Sequence, residues 1–437
     1  MLIARYIWKS TVLVVGTLLG TVSVLHSQDS SLQELSLSEA YTLLEERYPI
    51  LQNGEIWLQI LQQQQAQLEA EYKPGLYWKT DARLQSESVQ LSSPEGNFPI
   101  EINQPLVNAQ TYLEGSYLLL DGGSREARQA VLEAETAVQL QNVEVDRYQL
   151  QEQVNRLFLR LSSLRAQADL FELSLTDIKT RIEQAQAGVD NGILLESELA
   201  KLQVRQKELL AQESNIDHQI QGSRKSLEDL LDISLMQDVK LIYPAMDTPL
   251  QIPGINRPEQ KLFQQQRTAI LAQETLIEVE KRPTLNLFAQ AGVGYPNPLN
   301  LLDSDPAPFA LVGAGLSWKL IDWNKSKRQK EELSLRALQV QNQQATFEFN
   351  LQQQEASYRA EVQRLQQQME YDREIVALQG EILAQSTAQL EEGVITTTEY
   401  ISQSTAELQA RQQLSIHEVE LLSIQLNFWN TRGAGRK

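Results

Sequence analysis

The run LQEQVNRLFLRLSSLRAQADLFELSLTDIKTRIEQAQA, residues 150–187, carries one unbroken apolar seam: Leu150, Val154, Leu157, Leu161, Leu164, Ala168, Phe171, Leu175, Ile178, Ile182 and Ala185. Its steps alternate between four and three residues. A sustained 3.5-residue period predicts a helix packed along most of its length in a left-handed supercoil. Working outward, Ser124 to Ala187 contains neither proline nor glycine, and its 64 residues (187 − 124 + 1) at 1.5 Å each make a rod of roughly 96 Å. No compact domain holds a helix that long.

The stretch recurs. Adding 201 to each seam position gives Leu351, Tyr358, Val362, Leu365, Met369, Val376 and Leu383, with Glu355, Asp372, Gln379 and Ser386 as the polar exceptions. The flanks keep the same offset: Leu118-Leu-Leu-Asp121 answers Lys319-Leu-Ile-Asp322, and Gly192-Ile-Leu-Leu-Glu-Ser-Glu198 answers Gly393-Val-Ile-Thr-Thr-Thr-Glu399. Aspartate to glycine is 71 residues in both copies (192 − 121 and 393 − 322). An internal duplication is the simplest account.

At the amino end Arg5 and Lys9 precede an apolar run from Thr11 to Leu25 and then His26-Ser27-Gln28, which reads as a secretory signal of residues 1–27. The run is shorter than the about 20 residues that cross a bilayer, so it predicts export rather than an anchor. The chain has no cysteine, hence neither a disulfide framework nor a lipid-anchored cysteine. Removing residues 1–27 leaves 36 basic (38 − 2) and 57 acidic side chains, a net charge of −21, which argues against nucleic acid and anionic lipid as partners.

The first helix is expected to start in Leu35-Ser-Leu-Ser-Glu-Ala40 with Ser38 as cap, to break at Pro49 and to resume as far as Tyr72. After Pro74 the period changes to 2: Leu76, Trp78, Thr80, Ala82 and Leu84 alternate with Tyr77, Lys79, Asp81, Arg83 and Gln85, which predicts a two-faced strand. Leu91 to Pro105 reads as a polar loop. A second strand sets Leu113, Tyr117 and Leu119 against Glu114 and Ser116, and Asp121-Gly-Gly turns the chain into the rod. The second copy repeats the plan. A helix from Pro258 to Lys281 ends at Arg282-Pro283, the strand from Leu285 to Tyr295 follows, and after the loop Pro296–Pro308 a fourth strand places Ala310, Val312, Ala314, Leu316, Trp318 and Leu320 on one face. Glycine turns at 188–192 and 393 reverse each rod into a shorter helix, Ser197 to Asp232 and Thr397 to Trp429. The units are thus residues 28–232 and 258–430, joined by a connector at 233–257 and followed by a disordered basic tail, 431–437.

Four strands cannot close a membrane barrel, since the smallest has eight, so several copies must contribute. The order helix, strand pair, very long helix, glycine turn, helix, present twice, resembles the TolC-type outer-membrane efflux family over the whole mature chain. The residues that carry the resemblance are Pro74 and Pro283 opening the first strands, Asp121 and Asp322 entering the rods, and Gly-x5-Glu at both turns, Gly192 to Glu198 and Gly393 to Glu399. The resemblance implies a fold that is mainly α with a membrane β-barrel part. It further implies a homotrimer in the outer membrane of a Gram-negative bacterium, whose twelve strands form one barrel continued by an α-helical barrel across the periplasm. That tunnel would dock an inner-membrane transporter through a periplasmic adaptor and act as a passive exit duct for efflux or type I secretion. Relatives with an arginine two residues after the second glycine use it as a latch; here the two positions are Leu194 and Ile395, so apolar packing is the expected closure. The other reading is a secreted or periplasmic coiled-coil adaptor or structural protein.

Nothing in the sequence points to catalysis or to a cofactor. His218 and His417 lie in separate amphipathic helices without ligand-spaced partners and read as surface residues, and Gly292-Val-Gly294 lies inside a strand with no helix start after it, so it is no phosphate cradle. Glu198 and Glu399 open helices, where a carboxylate complements the dipole; six copies in a trimer would form a ring at the tunnel tip.

Overall fold

The computed structural model describes residues 32–87, 90–91, 102–103, 105–242, 254–300 and 302–433. The expected signal segment, residues 434–437 of the tail, and parts of the loop Leu91–Pro105 and of the connector lie outside these. In chain order, β1 (Leu32–Ser36) and α1 (Leu37–Arg47) lead through a 3-10 turn at Pro49–Gln52 into α2 (Asn53–Glu71). β2 (Gly75–Leu84), the two-residue strands β3 (Gln90–Leu91) and β4 (Ile102–Asn103), and β5 (Val107–Leu120) precede α3 (Ser124–Asp190) and α4 (Glu196–Leu231). Then come β6 (Leu235–Ile242), α5 (Pro258–Val279), β7 (Thr284–Tyr295), β8 (Ala307–Ser317), α6 (Lys325–Glu391) and α7 (Thr397–Arg432). The rods α3 and α6 each hold 67 residues and the return helices α4 and α7 each hold 36. Each pair starts 201 residues apart (325 − 124 and 397 − 196).

The heptad seam faces inward as its period requires. On α3, Val154, Leu161, Leu164, Phe171, Ile178 and Ala185 are buried, and on α6 so are Leu351, Val362, Leu365 and Met369. Two of the polar exceptions, Asp372 and Ser386, are buried as well. α3 packs along α4, α5 and α7, and α6 along α5 and α7. Near mid-length the rod α3 is wrapped by a collar in which Leu35, Leu37, Leu44, Phe158, Leu227 and Val239 share one core.

Shorter helices abut end to end beside the rods. The N–H of Asn256 donates to the carbonyl of Arg432 at 2.8 Å, so the end of α7 meets the start of α5. Arg257 fastens this joint. Its guanidinium pairs with Glu259 at 2.6 Å and Glu152 at 3.1 Å, donates to the carbonyl of Asn430 at 3.0 Å, and lies 4.3 Å above the ring of Tyr148. One planar cation thereby joins α3, α5 and α7, which a flexible ammonium could not do with the same geometry.

One sheet has the order β2-β5-β7-β8, antiparallel throughout, and among the described residues its outer strands β2 and β8 each keep one free edge. Five local expectations change. The cap of α1 is Ser36, in a reciprocal capping box with Glu39, because β1 holds the chain extended up to that residue. The segment read as a connector contains β6, which pairs in parallel with β1 across the collar. The loop Leu91–Pro105 contains the ladder partners Leu91 and Ile102. β8 stops at Ser317, so Trp318 and Leu320 lie beyond the strand: β7 begins at Thr284, opposite Ser317, and offers no partner further on. Finally α7 runs to Arg432, where Gly433 ends it at φ +73°, so residues 431 and 432 are helix rather than tail. No described helix is long and apolar enough to cross a membrane.

Candidate functional site

The sheet has the two faces that the alternation predicts. On one, Leu76, Trp78, Leu84, Leu113, Tyr117, Leu287, Val312 and Leu316 are exposed, and the register sets Trp78 opposite Leu113 and Tyr117 opposite Leu287. On the other, Lys79 pairs with Glu114 at 2.8 Å, and Gln290 donates to the same carboxylate at 2.8 Å, a polar row across β2, β5 and β7. The same face holds Tyr112 and Phe309, whose rings meet at 5.9 Å across Gly292. A Cβ at 292 would stand 2.4 Å from that of Tyr112, so the glycine marks a close approach rather than an anion cradle.

Pro74 and Pro283 each stand one residue before a strand, β2 and β7, where a missing N–H ends the helix without costing a ladder bond. Asp121 and Asp322 stand two residues before the N-cap positions of the rods, Gly123 and Asn324, and their carboxylates take up the first N–H groups. Asp121 accepts from the N–H groups of Gly123 at 3.0 Å and Arg125 at 2.7 Å; Asp322 accepts from those of Asn324 at 3.1 Å and Ser326 at 3.2 Å, and from the Ser326 hydroxyl. Burial works against the Asp121 charge, but these donors outweigh it and hold the carboxyl below its usual range. The Ser326 hydroxyl and N–H do the same for Asp322.

At the far end of the rods the two turns are copies of each other. Gly192 and Gly393 both lie at φ +70°, and the N–H groups of Ile193 and Val394 reach back to the carbonyls of Gly188 and Gln389, both at 2.8 Å. This is the Schellman pattern, which needs a left-handed residue and therefore glycine. Leu194 and Ile395 are half-buried against the tip core of Phe171, Leu199, Leu202 and Tyr400. Ile193, Leu195 and Val394 project, exposed. Glu399 closes a capping box with Thr396, accepting from its N–H at 2.8 Å and its hydroxyl at 3.0 Å, which holds the carboxyl below its usual range. Glu198 pairs with Lys201 at 2.7 Å, and Lys201, with Thr397 across the tip, lowers its carboxyl likewise. Both expected tip carboxylates thus lie at one end of the molecule and both are held ionised.

A polar cluster that the repeat did not announce binds the two hairpins here. Arg181 of α3 pairs with Glu391 of α6 at 2.6 Å and with Asp177 at 3.5 Å, and it lies 5.7 Å from the ring of Tyr400, whose hydroxyl donates to Asp177. Burial, then the bond to Asp177, push the Tyr400 hydroxyl well up. Offset by 201, Arg181 and Asp177 become Ile382 and Leu378, and Tyr400 becomes Leu199, so comparing the copies conceals this cluster. The contrast in residue type was its only signal. Higher up, His417 of α7 is not a free surface residue: its Nδ1 lies 2.5 Å from Asp372, the buried polar exception of the α6 seam, and Gln368 donates to the other oxygen of that carboxylate at 3.2 Å. His218 has no such partner among the described residues.

No family model matches the sequence, and no curated protein matches it. Solved structures do. The outer membrane protein VceC of Vibrio cholerae is similar over 92% of this chain and 97% of its own, with TM-score 0.66 and 15% identity. The outer-membrane channel OprN gives TM-score 0.68 and 15% identity over 92% of this chain and 90% of its own, and the Campylobacter jejuni channel CmeC gives 0.65 and 11% over 91% and 86%. Identities this low speak for the architecture, and by that architecture, rods, return helices and strand pairs together, this chain has the fold of the TolC-type outer-membrane channels.

Proposed function

We propose that the chain is one protomer of a homotrimeric channel-tunnel in the outer membrane of a Gram-negative bacterium, a passive exit duct that an inner-membrane pump loads through a periplasmic adaptor. The observation that carries this is the four-stranded sheet, which combines an exposed apolar face with two unsatisfied edges, β2 and β8. A sheet edge has no place in hydrocarbon, so it must pair with another copy. β2 and β8 run in opposite directions, because three antiparallel steps separate them. Head-to-tail addition of copies therefore continues the antiparallel pattern. Two copies would give eight strands, whose interior side chains fill, whereas three give twelve and leave a passage.

The helices support the same assembly. Beside its buried seam, α6 carries a second stripe, Tyr371, Ile375, Leu378 and Ile382, which repeats in steps of four, three and four and is exposed in one chain. A neighbouring protomer would cover it. The projecting Ile193, Leu195 and Val394 give the tip an apolar surface for an adaptor. The test is extraction of the mature protein and light scattering of the purified particle. A detergent-dependent trimer that conducts in a planar bilayer is expected; a stable monomer without detergent overturns the reading.

A further inference from the structure

We infer that the second strand–helix junction, Ser317 to Lys330, is a binding surface for anionic phospholipid headgroups at the periplasmic edge of the membrane. The inference rests on the membrane-embedded reading above and departs from what the net charge of the whole chain suggests. The chain carries a net charge of −19, yet this stretch, SWKLIDWNKSKRQK, holds Lys319, Lys325, Lys327, Arg328 and Lys330 against the single acid Asp322. Asp322 is occupied in capping α6. Lys330 is occupied too, paired with Glu274 and Glu278 of α5. Lys319, Lys325, Lys327 and Arg328 are exposed and enter no ion pair among the described residues.

The apolar partners of these charges are in place beside them. Trp318, Leu320 and Ile321, just past the end of β8, are exposed, and they follow directly in sequence on Val312 and Leu316 of the apolar face. Trp323 is 87% exposed and sits at φ +52°, in the left-handed region that a bulky side chain rarely adopts. In the first copy the same position is Gly122, at φ +68°. The turn thus needs a left-handed residue in both copies, and the second copy alone fills it with an exposed indole. Strain of this kind persists where function repays it. Indoles anchor at the headgroup level, and basic side chains just outside it meet the lipid phosphates. The first junction lacks the device: Lys319, Trp323, Lys325, Lys327 and Arg328 correspond to Leu118, Gly122, Ser124, Glu126 and Ala127, and its own Arg125 and Arg128 are paired with Glu69 and Glu71. One copy therefore supplies a charged anchor and the other does not, so three such sites ring a trimer.

The test places the full mature protein in phosphatidylcholine nanodiscs containing a minority of brominated phosphatidylglycerol or, in parallel, of brominated phosphatidylcholine, and reads quenching of tryptophan fluorescence. Wild type should be quenched at least about fivefold more effectively by the anionic lipid, since a single basic group near the surface is worth roughly that factor. The preference should vanish at high salt and in the variant Lys319→Gln, Lys325→Gln, Lys327→Gln, Arg328→Gln. It should survive in the charge-keeping variant Lys319→Arg, Lys325→Arg, Lys327→Arg, which also shows that the junction tolerates substitution. Equal quenching of wild type by the two lipids, or an undiminished preference in the glutamine variant, overturns the inference while leaving the membrane reading intact. Absence of quenching by either lipid overturns both.

Discussion

Arg181 of α3 donates to Glu391 of α6 at 2.6 Å, and this contact ties the end of one hairpin to the end of the other. The guanidinium is 12% exposed, so it has few waters to fall back on when the partner is lost. A hydrogen bond to a charged group contributes about 1.5–3 kcal/mol. Arg181→Ala should therefore free the two turns to part and raise the resting conductance of the reconstituted channel, with Glu391→Gln producing a smaller rise. Single-channel recording checks this. Equal resting conductance in wild type and Arg181→Ala would show that the contact stabilises the hairpins without holding the tip shut.

The strand register bears on the sheet and on its proposed place in the membrane. Leu287 stands on the apolar face opposite Tyr117, and Gln290, three residues on, stands on the polar face in the Lys79–Glu114 row. Leu287→Arg should cost roughly 2–4 kcal/mol at mid-bilayer and impair assembly, while Gln290→Arg should be tolerated. Trp78, Leu119 and Leu316 are expected to behave as Leu287 does. Heat-modifiable migration of the proposed trimer separates the outcomes, and equal assembly of the two arginine variants would contradict the register.

The pair of half-buried His417 and buried Asp372 joins α7 to α6 at one of the four polar positions of the α6 seam. Removing one partner leaves the other shielded from water without its bond, at a cost of about 1–3 kcal/mol. Replacing both by leucine restores an apolar layer. Asp372→Leu and His417→Leu should each lower the thermal midpoint, and the double variant should recover most of the loss. A double variant no better than the singles would show that the pair adds stability beyond filling space.

How much of this was legible beforehand follows from what a repeat can and cannot carry. The rods, the return helices and the two glycine turns were readable because the heptad period and the Schellman glycine are local requirements, met twice by the same residue types at Gly192 and Gly393. The strand faces were readable because alternation from Leu76 to Leu84 leaves little choice of register. The parallel pairing of β1 with β6 was not, since Leu32–Ser36 and Leu235–Ile242 are brought together only by the collar. His417 and Asp372 sit 45 residues apart on different helices, and only the folded hairpin reveals that each is the other's partner. Arg181 and Tyr400 escaped for the opposite reason: a residue unique to one copy looks like noise when the copies are aligned.

The tip carboxylates give the last prediction. In a trimer, three copies each of Glu198 and Glu399 would stand at one end of the tunnel. Across about 8 Å of water each pair repels by roughly 0.5 kcal/mol, and by more where the constriction excludes solvent, so a closed tip must hold them apart or bind cations between them. The capping contacts of Thr396 and the Lys201 pair fix where these charges sit. Glu399 has no cation beside it among the described residues, whereas Glu198 has Lys201, so Glu399→Ala should weaken divalent-cation block of the current more than Glu198→Ala. Ile395→Asp should raise resting conductance, because Ile395 packs in the tip core. The pH dependence has a fixed sign. The Thr396 bonds draw the Glu399 carboxyl below its usual range, and the charge is lost as pH falls through the range where the carboxyl takes up its proton. Block should accordingly fade as the solution is made acid and not as it is made alkaline. Recordings in which the Glu198→Ala, Glu399→Ala double variant keeps its cation block would reduce both residues to helix caps.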